Sequence, residues 1–370
     1  MTKSLYQFID TPSLLIDYDI MLANLKFMQS KADKYKVKLR PHTKTHKMPE
    51  LARLQMELGA SGITVAKVGE AEVMAKNGIN DIFIANEIVG RAKLKRLKEL
   101  NETAEVSVGV DNFYQVDQLA EAFKNAKKPV SVLIELEVGE NRSGAITDGQ
   151  LTSLAKYIAG KEQVKLKGIF SHEGHTYKAK DSKECLRLAR ESQEKTLRAA
   201  NLLRGLGMNM ETVSIGATPS LMQAEIIEGI TEIRPGTYIF MDAGQGAALD
   251  DYSRCAASIL ATVISKPTSE RVVLDAGAKS LTSQNRAEGI CATTGFGLVK
   301  ASGKVRLSGL FDEHGLINDA AFSKTVEVGD KIEVIPNHIC PACNLYDSAL
   351  LVSKGKLLKE IQILCRGKVR

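Results

Sequence analysis

The sequence predicts an α/β protein in which a (β/α)8 barrel is followed by an antiparallel β domain. Eight short β-type runs alternate with helical segments in the first part of the chain, and helix signals become rare after residue 250. A chain of 370 residues is also too long for one small module. A doubly wound open sheet would give a similar alternation, but a run count of eight favours the barrel.

The β-type runs of the first part are rich in branched residues and are bounded by turn residues. They cover residues 37–40, 62–66, 81–85, 106–110, 130–136, 166–170, 213–216 and 230–234. Helix signals stand between them, most clearly in 50–58, 70–76 and 182–205. Strands separated by helices predict a parallel sheet with crossover connections, and the active site of such a barrel lies where the strands end.

The last third of the chain has the pattern of an antiparallel β domain. Its β-type runs are residues 258–264, 271–275, 304–309, 331–335, 349–352 and 357–363. The run at 13–17 could join this domain. We therefore predict a barrel over 15–250 and a β domain over 1–14 plus 251–370.

Composition excludes several classes of protein. The 50 Lys and Arg residues exceed the 44 Asp and Glu residues by +6, a mild bias towards anionic ligands that does not indicate a nucleic-acid partner. The basic segment 91–98 lacks the interleaved aromatic residues of such a surface. The sequence has no apolar run long enough to span a membrane and no secretory signal at its start, so no membrane partner is expected. Six cysteines without an export signal predict reduced thiols and a cytoplasmic location.

The first candidate site follows the first barrel strand, in residues 40–47 (RPHTKTHK). Lys44 would stand at the catalytic end of the barrel, where burial can lower the pKa of its amine and allow Schiff-base chemistry. The alternative is a basic loop that only connects a strand to a helix.

Two later turns have the composition of a phosphate site. Gly216 ends the seventh run and Thr218 follows it. Arg234 ends the eighth run, and Gly236 and Tyr238 follow it. Small residues let backbone N–H groups approach a phosphate, and the last two strands of a barrel are a common place for one. A plain strand-to-helix turn remains the alternative.

Two further polar clusters stand at strand ends. Arg142 lies between glycines after the fifth run, and His175 and Tyr177 follow the sixth. Either cluster could instead be an ordinary exposed turn.

The β domain contains a candidate metal pair, His338 and Cys340. If the preceding strand continues, the two side chains project from one face, since residues two apart do so on a strand. An imidazole and a thiolate suit zinc better than magnesium. Cys340 and Cys343 also form a CxxC motif, which leaves a redox role, a structural zinc, or a buried cysteine beside a capping histidine as alternatives.

Taken together, five motifs resemble the D-threonine aldolase and D-serine dehydratase family of fold-type III pyridoxal-phosphate enzymes, which is related more distantly to alanine racemase. The motifs are residues 40–47 (RPHTKTHK), 84–88 (IANEI), 214–219 (SIGATP), 234–238 (RPGTY) and 336–340 (PNHIC). The resemblance covers about residues 10–350, in the expected order. It implies the barrel and β domain predicted above, and a homodimer with sites near the subunit interface.

The resemblance also implies roles for single residues. Lys44 would hold pyridoxal 5′-phosphate as a Schiff base, Arg142 would contact the ring hydroxyl, and Arg234 would face the pyridine nitrogen. The phosphate would lie among Gly216, Thr218, Gly236 and Tyr238. His338 and Cys340 would bind a divalent metal, zinc by preference, with manganese or magnesium open. His175 or Tyr177 would assist proton transfer or bind the substrate.

The implied activity is that of a lyase acting on a small D-3-hydroxy amino acid. The cysteine in the metal pair favours elimination of water, of the D-serine or D-threo-3-hydroxyaspartate dehydratase type, which gives a 2-keto acid and ammonia. Aldol cleavage to glycine and an aldehyde, as in D-threonine aldolase, is the alternative because it uses the same groups. An amino-acid racemase is less favoured, since a metal pair has no obvious role in it. A non-enzymatic pyridoxal-phosphate carrier is disfavoured by the long β domain.

Overall fold

A computed structural model describes residues 6–370, which form two sheets and the helices that cover them. The strands are β1 (Ser13–Asp17), β2 (Lys38–Leu39), β3 (Ile63–Val65), β4 (Asp81–Glu87), β5 (Glu105–Val110), β6 (Val130–Leu136), β7 (Val164–Ser171), β8 (Thr212–Ile215), β9 (Glu232–Ile233), β10 (Ala257–Ser265), β11 (Arg271–Leu274), β12 (Leu298–Val299), β13 (Gly309–Leu310), β14 (Gly315–Asn318), β15 (Lys331–Ile335), β16 (Ser348–Ser353) and β17 (Lys356–Gln362).

The helices lie mainly in the first part of the chain. They are α1 (Tyr18–Lys34), α2 (Pro49–Glu57), α3 (Val68–Lys76), α4 (Arg91–Thr103), α5 (Phe113–Ala122), α6 (Asp148–Ala159), α7 (Ser182–Gly205), α8 (Thr218–Gln223), α9 (Ala243–Leu249), α10 (Ala278–Leu281), α11 (Ala320–Ser323) and α12 (Ile339–Cys343), with 3-10 helices at Gly174–Lys178 and Thr237–Ile239. Local signals account for their starts. Pro49 occupies the first turn of α2, and Thr147 and Gln150 form a capping box at α6.

The first sheet is the predicted (β/α)8 barrel. Its eight parallel strands follow the order β2-β9-β8-β7-β6-β5-β4-β3. A parallel bridge between His42 and Thr64 brings the two ends of this sheet together, and the Thr43 N–H donates to the Thr64 carbonyl at 2.8 Å. The strands are mostly apolar and buried on both faces, as parallel strands under helices require.

The barrel interior is filled in layers. At the end where the strands begin, Arg40 pairs with Asp81 and Glu232, each at 2.7 Å. Above them lies an apolar layer of Phe83, Leu133 and Phe170. The interior is therefore a packed core, and open space is left at the end where the strands finish.

The second sheet is the β domain, and it is mostly antiparallel. Its order is β13-β14-β11-β10-β1-β16-β17, and β15 pairs with both β10 and β12. The N-terminal strand β1 lies inside this sheet, antiparallel to β10 and parallel to β16. Residues 1–5, part of the predicted β domain, lie outside the described residues.

Three details of the β domain differ from the sequence prediction. The run expected at 304–309 contributes little to the sheet, because the strand there begins only at Gly309. The strands β12 and β14 and three short helices carry too little local signal to be predicted. The strand expected to continue through His338 ends at Ile335, and α12 follows it. In the part of the chain that is described, none of the helices is both long enough and apolar enough to cross a membrane.

Candidate active site

Two joined cavities lie at the end of the barrel where the strands finish. The inner cavity, of about 70 Å³, is lined by barrel residues alone. The outer cavity, of about 860 Å³, lies between the barrel and the β domain. Both are lined by Lys44, Arg142, His172, Tyr177 and Thr237. The predicted lysine therefore stands where the two spaces meet.

Lys44 follows β2 in the loop that carries the barrel-closing bridge. Burial is the main cause that lowers the pKa of its amine, and the positive charges of Arg142 and Arg234 lower it further. Cys340 and Glu70 act in the opposite direction. A lysine whose amine is more easily neutral is the kind that attacks a carbonyl or takes a proton.

Gly216, Thr218 and Gly236 meet at the inner cavity, as the phosphate hypothesis requires. The Thr218 Oγ1 is buried and has no hydrogen-bond partner among the described residues. A Cβ at Gly236 would lie 3.1 Å from the Thr45 Oγ1 and 3.2 Å from the His42 carbonyl oxygen. A small ligand with several hydrogen-bond acceptors would satisfy this buried hydroxyl, and the glycine leaves space for it beside the wall.

Gly216 takes part in a different way from the one expected. Its N–H donates to the Glu173 Oε2 at 3.1 Å, and Glu173 also accepts from the Ser220 hydroxyl at 3.0 Å. A Cβ at Gly216 would lie 2.8 Å from the Arg234 carbonyl oxygen. The glycine thus allows close approach of two strand ends, and the buried Glu173 holds the turn.

Arg234 forms the floor of the inner cavity. Its guanidinium donates to the Ser214 hydroxyl and, at 2.7 Å, to the Ser171 carbonyl. It also lies 5.2 Å from the centre of the Phe170 ring, on the apolar layer of the barrel. Burial lowers the pKa of Arg234, but arginine remains charged in proteins. The floor therefore presents a fixed cation.

Arg142 reaches both cavities from the loop after β6. Its Nη2 donates to the Glu135 Oε1 at 3.0 Å, and the Ser143 hydroxyl donates to the other oxygen of Glu135 at 2.7 Å. Burial and the neighbouring Glu135 raise the pKa of Glu87, which lies beside this pair, to about 8. Arg142 is thus held at the cavity wall by a carboxylate on the preceding strand.

Of the two histidines that follow β7, His172 and not His175 lines the site. His172 hydrogen-bonds the Gly216 carbonyl through Nδ1, and burial lowers its pKa to about 3, so the ring is neutral and donates this bond. His175 packs against Gly139 outside both cavities, and its Nε2 lies 3.4 Å from the Ser192 hydroxyl. The sequence predicts His175 at the site, and the structure places its neighbour His172 there instead, because the segment after β7 turns as a 3-10 helix.

Of the two predicted tyrosines, one lines the cavities and the other lies in the core. Tyr177 lines both cavities, and burial raises the pKa of its hydroxyl well above the usual value. Tyr238 is 1% exposed, and its hydroxyl accepts from the Gln55 side chain at 2.9 Å inside the core. The structure does not bring the Tyr238 side chain to the cavity, because the 3-10 helix at Thr237–Ile239 turns it away. Its neighbour Thr237 lines the wall instead.

His338 and Cys340 line the outer cavity, although they do not lie on a strand. His338 immediately precedes α12 and Cys340 lies inside that helix, and both residues line the same cavity. The His338 Nδ1 lies 3.0 Å from the Gln284 Oε1, which leaves Nε2 for a ligand. The Cys340 Sγ lies 3.3 Å from the Thr45 Oγ1 and 3.6 Å from that of Thr237.

The donor chemistry of this pair fits an open metal site. Within residues 6–370, no group of three or more His, Cys, Asp or Glu side chains is placed to hold a metal. Two protein donors leave several coordination positions for water and substrate, as a catalytic metal needs. Cys343 is fully buried in the hydrophobic core, so it is not at the cavity with Cys340.

Comparison with known proteins agrees with this geometry. Residues 16–244 match the model of the alanine racemase N-terminal domain, and residues 256–352 match that of a putative serine dehydratase domain. The chain is 35% identical over 363 residues to a D-threonine aldolase of Arthrobacter sp., which covers 97% of this chain and 93% of that protein. It is 30% identical to a D-serine dehydratase of Dictyostelium discoideum, over 90% of each chain.

The chain belongs to this family of alanine racemase-like, pyridoxal-phosphate-dependent lyases. Its fold agrees: the solved structure of D-threo-3-hydroxyaspartate dehydratase from Delftia sp. HT23 matches with a TM-score of 0.89 and 26% identity, over 98% of this chain and 99% of that one. A variant of that dehydratase with a cysteine replaced by alanine, solved in a metal-free form, matches with a TM-score of 0.88 and 26% identity, over 97% of this chain and 98% of that one. Metal binding therefore occurs in the family.

The site residues predicted from the sequence of this lyase do not include every residue at its site. Besides His172, the missed residues are Thr45, Thr237, Gln284 and Arg286. The two threonines stand inside recognised motifs, so their hydroxyls could have been considered. Gln284 and Arg286 lie far from any motif, and only the fold brings them to the outer cavity.

Proposed function

We propose that this chain is a pyridoxal-phosphate- and metal-dependent lyase of D-3-hydroxy amino acids. One observation carries the proposal: the amine of Lys44 and the pair formed by His338 and Cys340 face the same outer cavity. A base and a Lewis-acid site that face one space can act on adjacent carbons of a small substrate. The preference for D-substrates is supported by the names of the relatives.

The inner cavity supports the assignment of the cofactor. When bound, pyridoxal phosphate supplies an electron sink for the carbon that loses its proton. Lys44 would hold it covalently, Thr218 would donate its hydroxyl to the phosphate, and Gly236 would leave room for it. Arg142 would contact the ring hydroxyl, and Arg234 would face the pyridine nitrogen. A fixed cation at that nitrogen would keep it unprotonated, which weakens the sink and makes help from a metal useful.

The chain's own residues would then divide the work. The amine of Lys44, once free of the cofactor, takes the α-proton of the substrate. Its lowered pKa suits this role, because an amine that stays protonated cannot accept a proton. Tyr177 lies on the wall shared by the two cavities and would orient the substrate. His338 and Cys340 would hold the metal against the 3-hydroxyl, and zinc is the metal that a thiolate favours.

Dehydration is the reaction we favour. The 3-hydroxyl leaves with a proton as water, and water then hydrolyses the unsaturated amine, so the net products are a 2-keto acid and ammonia. The cysteine in the metal pair supports this choice. Aldol cleavage, in which the 3-hydroxyl loses its proton and the Cα–Cβ bond breaks to give glycine and an aldehyde, is the second candidate. The 35% identity to a D-threonine aldolase favours it.

A product assay tests the proposal. The purified protein, loaded with pyridoxal phosphate and zinc, is incubated with D-serine, D-threonine or D-3-hydroxyaspartate, with and without a chelator. A keto acid with ammonia supports dehydration, and glycine with an aldehyde supports cleavage. Formation of the L-enantiomer as the only product would make the chain a racemase and overturn the proposal. Full activity after complete metal removal would remove the role of His338 and Cys340.

Two further expectations belong to this proposal. We expect a homodimer with sites near the subunit interface, which sedimentation of the holoenzyme measures directly. We also expect a cytoplasmic location, because all six cysteines are free thiols in the structure.

A further inference from the structure

The wall of the outer cavity carries more cations than acids, and two of these cations have no carboxylate partner among the described residues. The cations are Lys44, Lys47, Arg142, Lys178 and Arg286, and the acids are Glu140 and Glu288. Three cations are paired: Lys47 with Glu70 at 2.9 Å, Arg142 with Glu135 at 3.0 Å, and Lys178 with Glu288 at 3.3 Å. Lys44 is the proposed cofactor amine. Arg286 therefore remains as the cation available to an anion.

The Arg286 side chain is partly buried, and its guanidinium is positioned by an aromatic neighbour. Its guanidinium lies 4.4 Å from the centre of the Tyr177 ring, and Tyr177 lines both cavities. Its Nη1 is buried and has no hydrogen-bond partner among the described residues. A planar cation stacked on an aromatic ring is oriented before any ligand arrives, which lowers the entropic cost of binding one.

Another arginine of the chain, by contrast, has carboxylate partners for its guanidinium. Arg40, inside the barrel, has two carboxylate partners at 2.7 Å, Asp81 and Glu232. Arg286 has no carboxylate oxygen within 4.0 Å in the described part of the chain. Burial acts to lower its pKa, and the more distant Asp242 acts to raise it, but both carboxylate oxygens of Asp242 already accept from backbone N–H groups, of Gln245 and Ile339. A charge taken out of water needs a partner, so this arginine indicates that an anion from outside the protein completes the pair.

We propose that Arg286 binds a carboxylate of the substrate and sets its orientation between Lys44 and the metal pair. The proposal rests on the proposed function, since it assumes that an amino acid enters the outer cavity. A guanidinium binds a carboxylate through two parallel hydrogen bonds, which fixes direction as well as position. The residue would thus determine which face of the substrate meets Lys44.

The first experiment measures kinetics with the wild type, Arg286→Gln and Arg286→Lys, all as holoenzymes. Loss of a charge-assisted pair predicts a KM for D-serine that is about 10- to 100-fold higher in Arg286→Gln, with a smaller change in kcat. Lysine keeps the charge but not the fork, so Arg286→Lys should recover part of the loss. An increase for D-serine and D-3-hydroxyaspartate alike assigns the α-carboxylate, and an increase only for D-3-hydroxyaspartate assigns its second carboxylate.

The matched control is Lys178→Gln, which removes a positive charge that already has a carboxylate partner on the same wall. Its KM should stay within about twofold of the wild type. Equal losses in Arg286→Gln and Lys178→Gln would mean that only the net charge of the cavity matters, and this would overturn the proposal. Unchanged KM values in Arg286→Gln for both substrates would also overturn it.

A binding measurement separates this proposal from the lyase function. Calorimetry compares 3-hydroxypropionate with its neutral amide, neither of which has the amine needed for reaction. The wild type should prefer the carboxylate, and Arg286→Gln should lose this preference. If no D-3-hydroxy amino acid is turned over but the preference depends on Arg286, the proposed function fails and the anion site stands. If turnover is normal and neither the preference nor KM depends on Arg286, the anion site fails alone.

Discussion

The two halves of the site differ in how much space and freedom they leave. On the barrel side, Thr218 is 1% exposed and Arg234 is 5% exposed, and the space between them is about 70 Å³. On the β-domain side, His338 and Cys340 border about 860 Å³, and Arg286 is only partly buried. The barrel side is a closed cradle, whereas the β-domain side is an open wall.

This difference fits the roles proposed for the two halves, with the cofactor on the barrel side and the substrate on the β-domain side. A cofactor is the same in every turnover, so a rigid site with fixed hydrogen bonds can bind it each time without having to adapt. A substrate must enter, react and leave, which requires room and coordination positions that can exchange. The open β-domain side provides this room, and its His338 and Cys340 are the proposed metal ligands.

The largest effect is expected from Lys44→Ala on the barrel side. Loss of both the cofactor anchor and the proposed base should lower lyase activity by about 10³-fold or more. The near-visible absorption band of the bound cofactor should disappear as well. Absorption spectra and keto-acid assays measure both effects.

Lys38→Ala is the matched control for this change, because Lys38 is exposed in β2, the strand that precedes the loop of Lys44. It should leave spectrum and activity unchanged. A Lys44→Ala protein that keeps the absorption band would show that another amine holds the cofactor.

The next effect is expected from Cys340→Ala on the β-domain side. Activity should fall by about 10²-fold because the metal loses a ligand, while the absorption band of the cofactor should remain. Metal content by mass spectrometry and the visible spectrum together test whether the two halves are separable. Cys343→Ala is the control, since its thiol lies in the core, and it should keep the metal. Loss of metal in the control alone would favour a role for the CxxC motif.

A smaller effect is expected from Thr218→Val, which removes the buried hydroxyl without a partner. The Kd of the cofactor should rise about 10-fold, because one hydrogen bond to a charged phosphate is lost. The Tm of the apoprotein should stay equal or rise, since an unsatisfied polar atom has been removed. In the control Ser220→Ala, the lost hydroxyl is bonded to Glu173, so its Tm should fall instead.

The smallest effect concerns the pH dependence of stability and Glu87 on the barrel side. The pKa of Glu87 is raised from 4.5 in its unperturbed form to about 8 in the folded protein. The folded state then holds a proton that the unfolded state releases, so this group lowers stability progressively as pH rises from about 4.5 to about 8. Glu87→Gln should remove this loss, so its stability relative to the wild type should be greater at pH 8 than at pH 5. Urea unfolding at pH 5 and pH 8 measures it, and an equal difference at both pH values would contradict the assignment.

The amino-acid sequence predicted the elements with strong local signals. The strand β6 and the helix α7 have the bounds that their apolar patterns indicate, because both are long and strongly periodic. Where the signal was local but weak, the prediction was wrong. The run at 304–309 is one example, since a short apolar stretch forms a strand only if a neighbouring strand is positioned to hydrogen-bond with it.

The candidate site shows the same division. Lys44, Arg142, Thr218 and Arg234 were predicted because a barrel brings all its strand ends to one face, whatever their distance along the chain. The sequence predicts His175 and Tyr238 at the site, whereas His172 and Thr237 line the cavities. In each case the alternatives lie within three residues, and the turn of a short 3-10 helix decides which side chain faces the cavity.

The sequence by itself thus determined the barrel, the β domain and the types of group available for chemistry, because periodicity and motif composition are local properties. Only the tertiary structure decided which of those groups meet. It brought Arg286 against Tyr177 and the hydroxyls of Thr45 and Thr237 to the sulfur of Cys340. Such contacts depend on the packing of the β domain on the barrel, and long-range packing leaves no pattern in the neighbouring residues.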